Sequence, residues 1–307
     1  MRAILLVNMG SPTSEVEMKQ FLRRMFLDRA IIDAPKPIRL LIAFLITNLR
    51  YRSSWQKYIR IGGSPLLTAM DRIRSDLAQK LPEGFLVKCA YSYSPPLIET
   101  VIDNLSVEGI TDFTIISMYP QASYSTTGSI DTTLRQIVAK RNHLAVDYLD
   151  DYHQHPDFIA FWTDVISKRI AELGYSNPYL VFSAHAIPEY HVRRGDGYPE
   201  SVARSAEMIA SQLNLNHCVS YQSKLGWVRW TTPSTLDTLD HLLQQKAEQI
   251  LIVPISFISE NLETLFDVDV EILPYARNVL GIQMIDRVIL PEGHPSIINL
   301  FTNLIHR

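Results

Sequence analysis

The chain is poor in cysteine. Its 307 residues hold two, Cys89 and Cys218, far apart and without a Cys-x-x-Cys spacing. That count argues against a disulfide framework, a zinc finger and a protein-held four-cysteine iron–sulfur cluster. A surplus of positive charge is also missing: 29 Lys plus Arg face 32 Asp plus Glu, leaving a net charge of −3. The basic surface of a nucleic-acid protein is therefore not expected. Glycine is sparse, 12 residues against 17 prolines, which excludes collagen-like and Gly-rich disordered chains. No leader is visible, because the opening apolar run Ala3-Ile4-Leu5-Leu6-Val7 has no small-residue cleavage site after it and reads as a buried strand.

Long hydrophobic runs are absent as well. Residues 38–49 come nearest, yet the stretch is roughly half a spanning helix and Arg39 interrupts it. Two readings of it stay open. It is a core helix, or it is an apolar lip touching a membrane or a greasy ligand, with Arg50, Tyr51 and Arg52 as an interfacial anchor. The expectation is a reduced, cytoplasmic protein with peripheral membrane contact as the open alternative.

With 47% hydrophobic residues, the chain can bury one large core or two medium ones. Apolar, β-branched runs at 3–7, 87–90, 114–117, 179–183 and 249–253 read as strands buried on both faces. Amphipathic stretches lie between them. The first opens with Ser14-Glu15-Val16-Glu17, a capping-box pattern, and repeats Met18, Phe21, Leu22, Met25 and Phe26 at helical spacing. Further helices are expected at 66–81, 96–107, 130–141, 156–173, 200–213, 234–247 and 295–306. This alternation means an α/β fold with doubly wound parallel sheets. A polar, aromatic, Pro-terminated seam at 149–156 suggests two Rossmann-like halves, 1–155 and 156–307, with a cleft between them. Ligands of such sheets sit beyond the carboxyl ends of the strands.

The chemistry-bearing residues fall at those ends. Asn8-Met9-Gly10-Ser11-Pro12 follows the first strand without a phosphate-binding fingerprint. Arg60, ahead of Gly62-Gly63, could meet a carboxylate in a bidentate manner. The segment from Tyr119 to Ser129 carries seven hydroxyls in eleven residues, more than a helix cap needs, and is long enough to wrap a ligand. His185 ends a buried strand just before Pro188; a hydrogen-bonded structural histidine and a functional imidazole both fit that position. Residues 259–271 hold five carboxylates, Glu260, Glu263, Asp267, Asp269 and Glu271, with no Lys or Arg until Arg277. On an α-helix Glu260, Glu263, Asp267 and Glu271 share a sector of about 80°. Acidic faces usually reflect solvation, but like charges four apart repel. A row of carboxylates stepping inward suits a moving divalent cation.

In this order the residues resemble a known family. Val7-Asn8-Met9-Gly10 with Phe21-Leu22-Arg23-Arg24-Met25-Phe26-Leu27-Asp28, Ile61-Gly62-Gly63-Ser64-Pro65, Tyr119-Pro120-Gln121, Ser125-Thr126-Thr127-Gly128-Ser129, Ser183-Ala184-His185, Tyr221-Gln222-Ser223-Lys224 and Leu262-Glu263-Thr264-Leu265 are similar, over essentially the whole chain, to the ferrochelatases. These enzymes insert ferrous iron into a porphyrin to make haem. The resemblance implies the chelatase fold, with porphyrin and Fe(II) as substrates and protoporphyrin IX as the favoured macrocycle. It assigns His185 and Glu263 as the metal-handling and catalytic pair, with Asp267 and Glu271 continuing the acidic row. It also implies that Met9 faces the macrocycle, where a tyrosine marks coproporphyrin users, and that Arg60, Tyr93, Ser125 and Trp230 line the pocket or meet propionates. Ala186, Asn261 and Gly197 depart from the family pattern. Tyr124 stands where some members carry a cluster-binding cysteine, and no Cys-rich tail is seen, so no iron–sulfur cluster and a monomer are expected. Chelation of another tetrapyrrole such as sirohydrochlorin, or a tetrapyrrole carrier without metallation, are the alternatives.

Overall fold

Of the five apolar runs, four become the inner strands of two parallel sheets and the one at 87–90 falls in an outer strand. A computed structural model describes residues 1–223 and 228–306; Lys224 of the Tyr221-Gln222-Ser223-Lys224 motif lies outside them. The chain divides into two compact units, Met1–Asp151 with Phe301–Arg307, and Tyr152–Leu300.

In the first unit, β1 (Arg2–Asn8) lies between β2 (Phe85–Tyr91) and β3 (Asp112–Ser117), and β4 (Ala145–Leu149) completes the order β2-β1-β3-β4. All pairings are parallel, with Arg2 level with Phe85 and Asp112. Ala3 to Val7 have no exposed surface, which parallel sheets covered by helices on both faces require. Helices α1 (Glu15–Leu27), α2 (Lys36–Arg60), α3 (Leu66–Lys80), α4 (Ile98–Val107) and α5 (Thr127–Lys140) belong to this unit. Ile98, Ile102 and Leu105 of α4 join Ile130, Leu134 and Ile137 of α5 in one core cluster with Leu5, Val7 and Ile115. Each such aliphatic side chain contributes about 1.5–3 kcal/mol of burial.

Two expectations change here. Ser14 does cap α1, accepting from the Glu17 amide, but the Glu17 carboxylate bonds the Thr13 amide (2.8 Å) and hydroxyl (2.7 Å). The reciprocal half of the capping box is thus shifted by one residue. Residues 38–49 form the first half of a 25-residue helix, and of them only Ala43 and Thr47 are buried. The core-helix reading fails: Ile38, Leu40, Leu41, Phe44, Leu45 and Leu49 are exposed. Among the described residues no helix is long and apolar enough to cross a membrane.

The second unit repeats the arrangement as β6-β5-β7-β8, with β5 (Tyr179–His185), β6 (His217–Gln222), β7 (Ile250–Val253) and β8 (Ile285–Arg287), all parallel. It contains α6 (Pro156–Leu173), α7 (Glu189–Arg193), α8 (Tyr198–Leu213), α9 (Thr235–Gln244) and α10 (Leu273–Asn278), and α11 (Pro295–Ile305) begins in it. Residues Glu263–Ile272 form a π-helix. Strands β4, β6 and β8 and helix α7 were not expected. The three strands are outer strands of their sheets, where both-face apolarity is not demanded, and β8 has only three residues.

In each sheet the chain leaves the first central strand on one side and returns on the other. The switch points are the carboxyl ends of β1 with β3, and of β5 with β7. Such points are where open α/β sheets take ligands.

Candidate functional site

The carboxyl end of β5 presents His185, half-buried. Its Nδ1 lies 2.7 Å from the carbonyl oxygen of Ala186. A carbonyl only accepts, so Nδ1 carries the proton of the neutral ring and Nε2 keeps its lone pair. Behind the histidine runs a buried polar chain: Ser183 donates to Gln222 Oε1 (2.7 Å) and meets Thr235 (2.9 Å), which meets Ser220 (3.1 Å). Gln222 is level with His185 across the β5–β6 pairing, and its carbonyl takes the Ala186 amide. This fastening fixes the backbone from which the imidazole projects. Trp230, half-buried, arrives by a short antiparallel pairing with Pro188, supported by the Thr231 amide on Ile187 (3.0 Å).

The acidic segment follows β7. Tyr198, fully inside, joins the two strand ends: its hydroxyl is 2.6 Å from Ser256 Oγ and also meets the His185 main chain. Asn261 opens the acidic segment as a cap. Its Oδ1 accepts from the Thr264 amide (3.0 Å), while the Thr264 hydroxyl accepts from the Asn261 amide (3.0 Å). Glu263 and Asp267 are half-buried and Glu271 is exposed, so the row steps from solvent inward. Asp267 accepts from the Ser223 hydroxyl.

Glu260 does not belong to that row, contrary to the α-helical expectation. Its carboxylate takes Arg287 Nη1 (2.6 Å), the Leu290 amide (2.7 Å) and the Thr264 hydroxyl. The expectation of acids without a neutralising partner fails for the same reason. Arg287 also grips Asp269 with both prongs, at 2.6 and 2.7 Å. Burial works against the Arg287 charge, but its bonds to Asp269 and the field of Glu260 outweigh burial and hold the guanidinium above its ordinary value. Nothing local in the sequence announces Arg287 as a partner; it lies 18 residues beyond Asp269. Among the described residues, no three His, Cys, Asp or Glu side chains gather where they could hold a metal ion. The carboxylates are strung along a helix.

In the first unit, Met9 follows β1, half-buried, with its amide 3.1 Å from the Tyr119 hydroxyl, which donates to Asn8 Oδ1 (3.3 Å). Gly10, at φ +86°, is required: a Cβ there would sit 1.9 Å from Ser94 Oγ, the atom that accepts the Ser11 amide. Tyr93 is 6% exposed. Its hydroxyl donates to Asp28 (2.8 Å), the same carboxylate that takes Ser129. Burial first, then the Asp28 charge, push the phenol well above its usual range. Tyr93, which the resemblance places at the pocket, is thus buried and bonded to Asp28. Arg60 is exposed at the end of α2, and Ser125 is half-buried ahead of α5. Much of the hydroxyl-rich segment is structural: Ser123 and Thr127 close a turn on each other, and Ser129 binds Asp28.

Residues 1–307 match the family model described as Ferrochelatase. A ferrochelatase of Gloeothece citriformis is 33% identical, covering 98% of this chain and 81% of that one. A ferrochelatase of Geotalea uraniireducens is 31% identical over 99% and 97%. By structure, SirB from Bacillus subtilis with Fe3+ aligns at a TM-score of 0.59 and 12% identity over 99% of this chain and 94% of that one, a likeness of fold.

Proposed function

The chain belongs to the ferrochelatase family, and we infer on that basis that it inserts ferrous iron into a porphyrin to form haem, releasing two protons. The observation that carries this reading is a family match over all 307 residues, joined to an imidazole and a carboxylate row at the switch point of one sheet. The likeness to sirohydrochlorin chelatases is one of fold at 11–12% identity, so that alternative fits less well.

The reaction removes two pyrrole protons and exchanges the water shell of iron for four ring nitrogens. His185 supplies the base. With Nδ1 committed to the Ala186 carbonyl, Nε2 is the nitrogen left to accept a proton. The resulting imidazolium keeps its Nδ1–H bond, and Glu263 offsets its charge. Glu271, Asp267 and Glu263 offer oxygen ligands in sequence from solvent inward. Single carboxylates bind Fe(II) weakly enough to pass it on, which a closed cage of ligands would not.

For the macrocycle, the Met9 thioether meets an apolar ring and favours protoporphyrin over the more anionic coproporphyrin. Arg60 meets a propionate with its guanidinium, and Ser125 and Trp230 complete the contacts. Tyr93 acts behind this surface, through Asp28 and Ser129. The exposed face of α2, Ile38, Leu41, Phe44, Leu45 and Leu49, supports peripheral contact with a lipid surface. Phe44→Glu with Leu45→Glu should lower sedimentation with anionic vesicles and leave turnover of a detergent-dispersed porphyrin within about twofold.

An anaerobic assay following loss of porphyrin fluorescence on adding Fe(II) tests the activity. Metallation of protoporphyrin faster than coproporphyrin is the expected result. A protein that binds porphyrin and leaves it metal-free is a carrier, and the enzyme reading is then wrong.

A further inference from the structure

One face of the segment from Phe21 to Asp28 is given over to a single residue, Tyr93. Positions 21, 24 and 28 follow the i, i+3, i+7 spacing of a helix face, and Asp28 caps the end of α1. Phe21 meets the Tyr93 ring edge-on, with 5.9 Å between centroids. Arg24 Nη1 donates to the Tyr93 carbonyl (3.1 Å). Asp28 Oδ2 accepts from the Tyr93 hydroxyl (2.8 Å). Tyr93 is thus gripped at ring, main chain and hydroxyl.

Tyr93 passes that grip on. Its amide bonds the Met9 carbonyl (3.0 Å), and the Ser92 amide before it bonds the Asn8 carbonyl (2.9 Å). The Ser94 hydroxyl after it accepts the Ser11 amide (3.1 Å). The turn after β2 therefore carries the turn after β1. Asp28 reaches a third segment as well. The oxygen that takes Tyr93 also takes the hydroxyl of Ser129, in α5, the helix that follows β3. Its other oxygen accepts the Ala30 amide (2.8 Å), an Asx turn that aims the carboxylate from its own backbone. We propose that Asp28 is a positioning residue for the macrocycle. With one oxygen shared by Tyr93 and Ser129, it sets the turns after β1 and β2 against the start of α5, and so places Met9 and Ser125. The inference rests on the reading of those two residues as macrocycle contacts.

Asp28→Ala removes the shared oxygen. Asp28→Asn keeps an acceptor for the two hydroxyls and gives up the Ala30 bond. Tyr93→Phe with Ser129→Ala removes both donors and leaves the carboxylate. The measurements are the unfolding midpoint, the porphyrin Kd by fluorescence titration, and steady-state turnover with porphyrin and Fe(II) varied separately. A merely structural loss leaves less folded enzyme, which scales turnover at every porphyrin concentration and does not move the porphyrin KM. Asp28→Ala should instead raise the porphyrin KM and Kd about tenfold, with the Fe(II) KM within about twofold and kcat within about threefold. The double variant should match it, and Asp28→Ala added to the double should change neither value further. Asp28→Asn should recover most of the lost porphyrin affinity.

A folded Asp28→Ala protein with wild-type porphyrin KM and Kd overturns the proposal, as does one whose loss falls on kcat or on the Fe(II) KM. So does an Asp28→Asn protein no better than Asp28→Ala, or a triple variant worse than the double. Should Asp28→Ala not fold, the double variant decides in the same terms. A wild-type protein that binds porphyrin and leaves it metal-free removes the iron reading, and the porphyrin Kd of the variants still decides this inference. A wild type that turns over, beside folded variants of unchanged porphyrin KM, removes the inference alone.

Discussion

The two units share one wiring and differ in what stands at its ends. Both sheets are four parallel strands with the first strand inside, the second outside it, and the third across the switch point. At the carboxyl ends of β1 and β3 the first unit sets Asn8, Met9 and Tyr119, neutral groups bonded to one another. At the equivalent ends of β5 and β7 the second sets an imidazole with a fixed tautomer and a helix of carboxylates. Half-buried carboxylates are also handled differently. The first unit dissolves Asp28 in hydroxyls from Tyr93 and Ser129, whereas the second meets Glu260 and Asp269 with a guanidinium. The fold supplies an address twice, and the side chains delivered there differ in kind: neutral hydrogen-bonding groups in one unit, an imidazole and carboxylates in the other.

The hardest blow to this contrast should come from the second unit. His185→Ala and Glu263→Gln are each expected to cut iron insertion by about a thousandfold, within the range of a lost general base, with porphyrin affinity within about twofold. Retained turnover in either variant would deprive that contrast of a functional meaning. The matching change in the first unit, Met9→Leu, should alter the porphyrin KM a few-fold and leave kcat nearly untouched. In that unit, Asp28→Ala strands the Tyr93 and Ser129 hydroxyls and should lower stability by about 1–3 kcal/mol by denaturant titration. Tyr93→Phe should cost less, because Asp28 keeps Ser129.

The smallest effect concerns a feature the units share. Cys89 in β2 and Cys218 in β6 occupy corresponding outer strands, and burial pushes both thiols up to about 11. An unfolded thiol ionises from its ordinary 9.0, so the unfolded chain gains first as pH rises. Stability should be unaffected below about pH 9 and decline between about 9 and about 11. Cys89→Ala with Cys218→Ala should flatten that decline; an unchanged slope would show that other groups cause it. Both thiols should also alkylate slowly in the native protein at pH 8.

The inner strands were legible because β1, β3, β5 and β7 are apolar on both faces, a pattern with few other homes. Of the outer strands only β2 was legible, through its run at 87–90; β6 reads His-Cys-Val-Ser-Tyr-Gln, and β8 is too short to show any period. His185 and the acids were legible as chemistry, since both follow buried strands. The winding of the acid helix was not, because a spacing of four fits the α and π forms alike. Glu260 looked like one more step in the row. Its partner comes from a strand 27 residues away, and such long-range pairing leaves no trace in local pattern. The bond from Tyr93 to Asp28 left no trace for the same reason, its acid lying 65 residues earlier.

The bond from His185 to the Ala186 carbonyl has an evolutionary corollary. Catalytic imidazoles are commonly aimed by a carboxylate side chain, which a single codon change can delete or retune. Here the aiming oxygen belongs to the peptide chain, and every residue type that could occupy position 186 brings the same oxygen. Heredity can reshape the surroundings of this imidazole; the acceptor itself yields only to chemical synthesis, for instance a thioamide written into that one link.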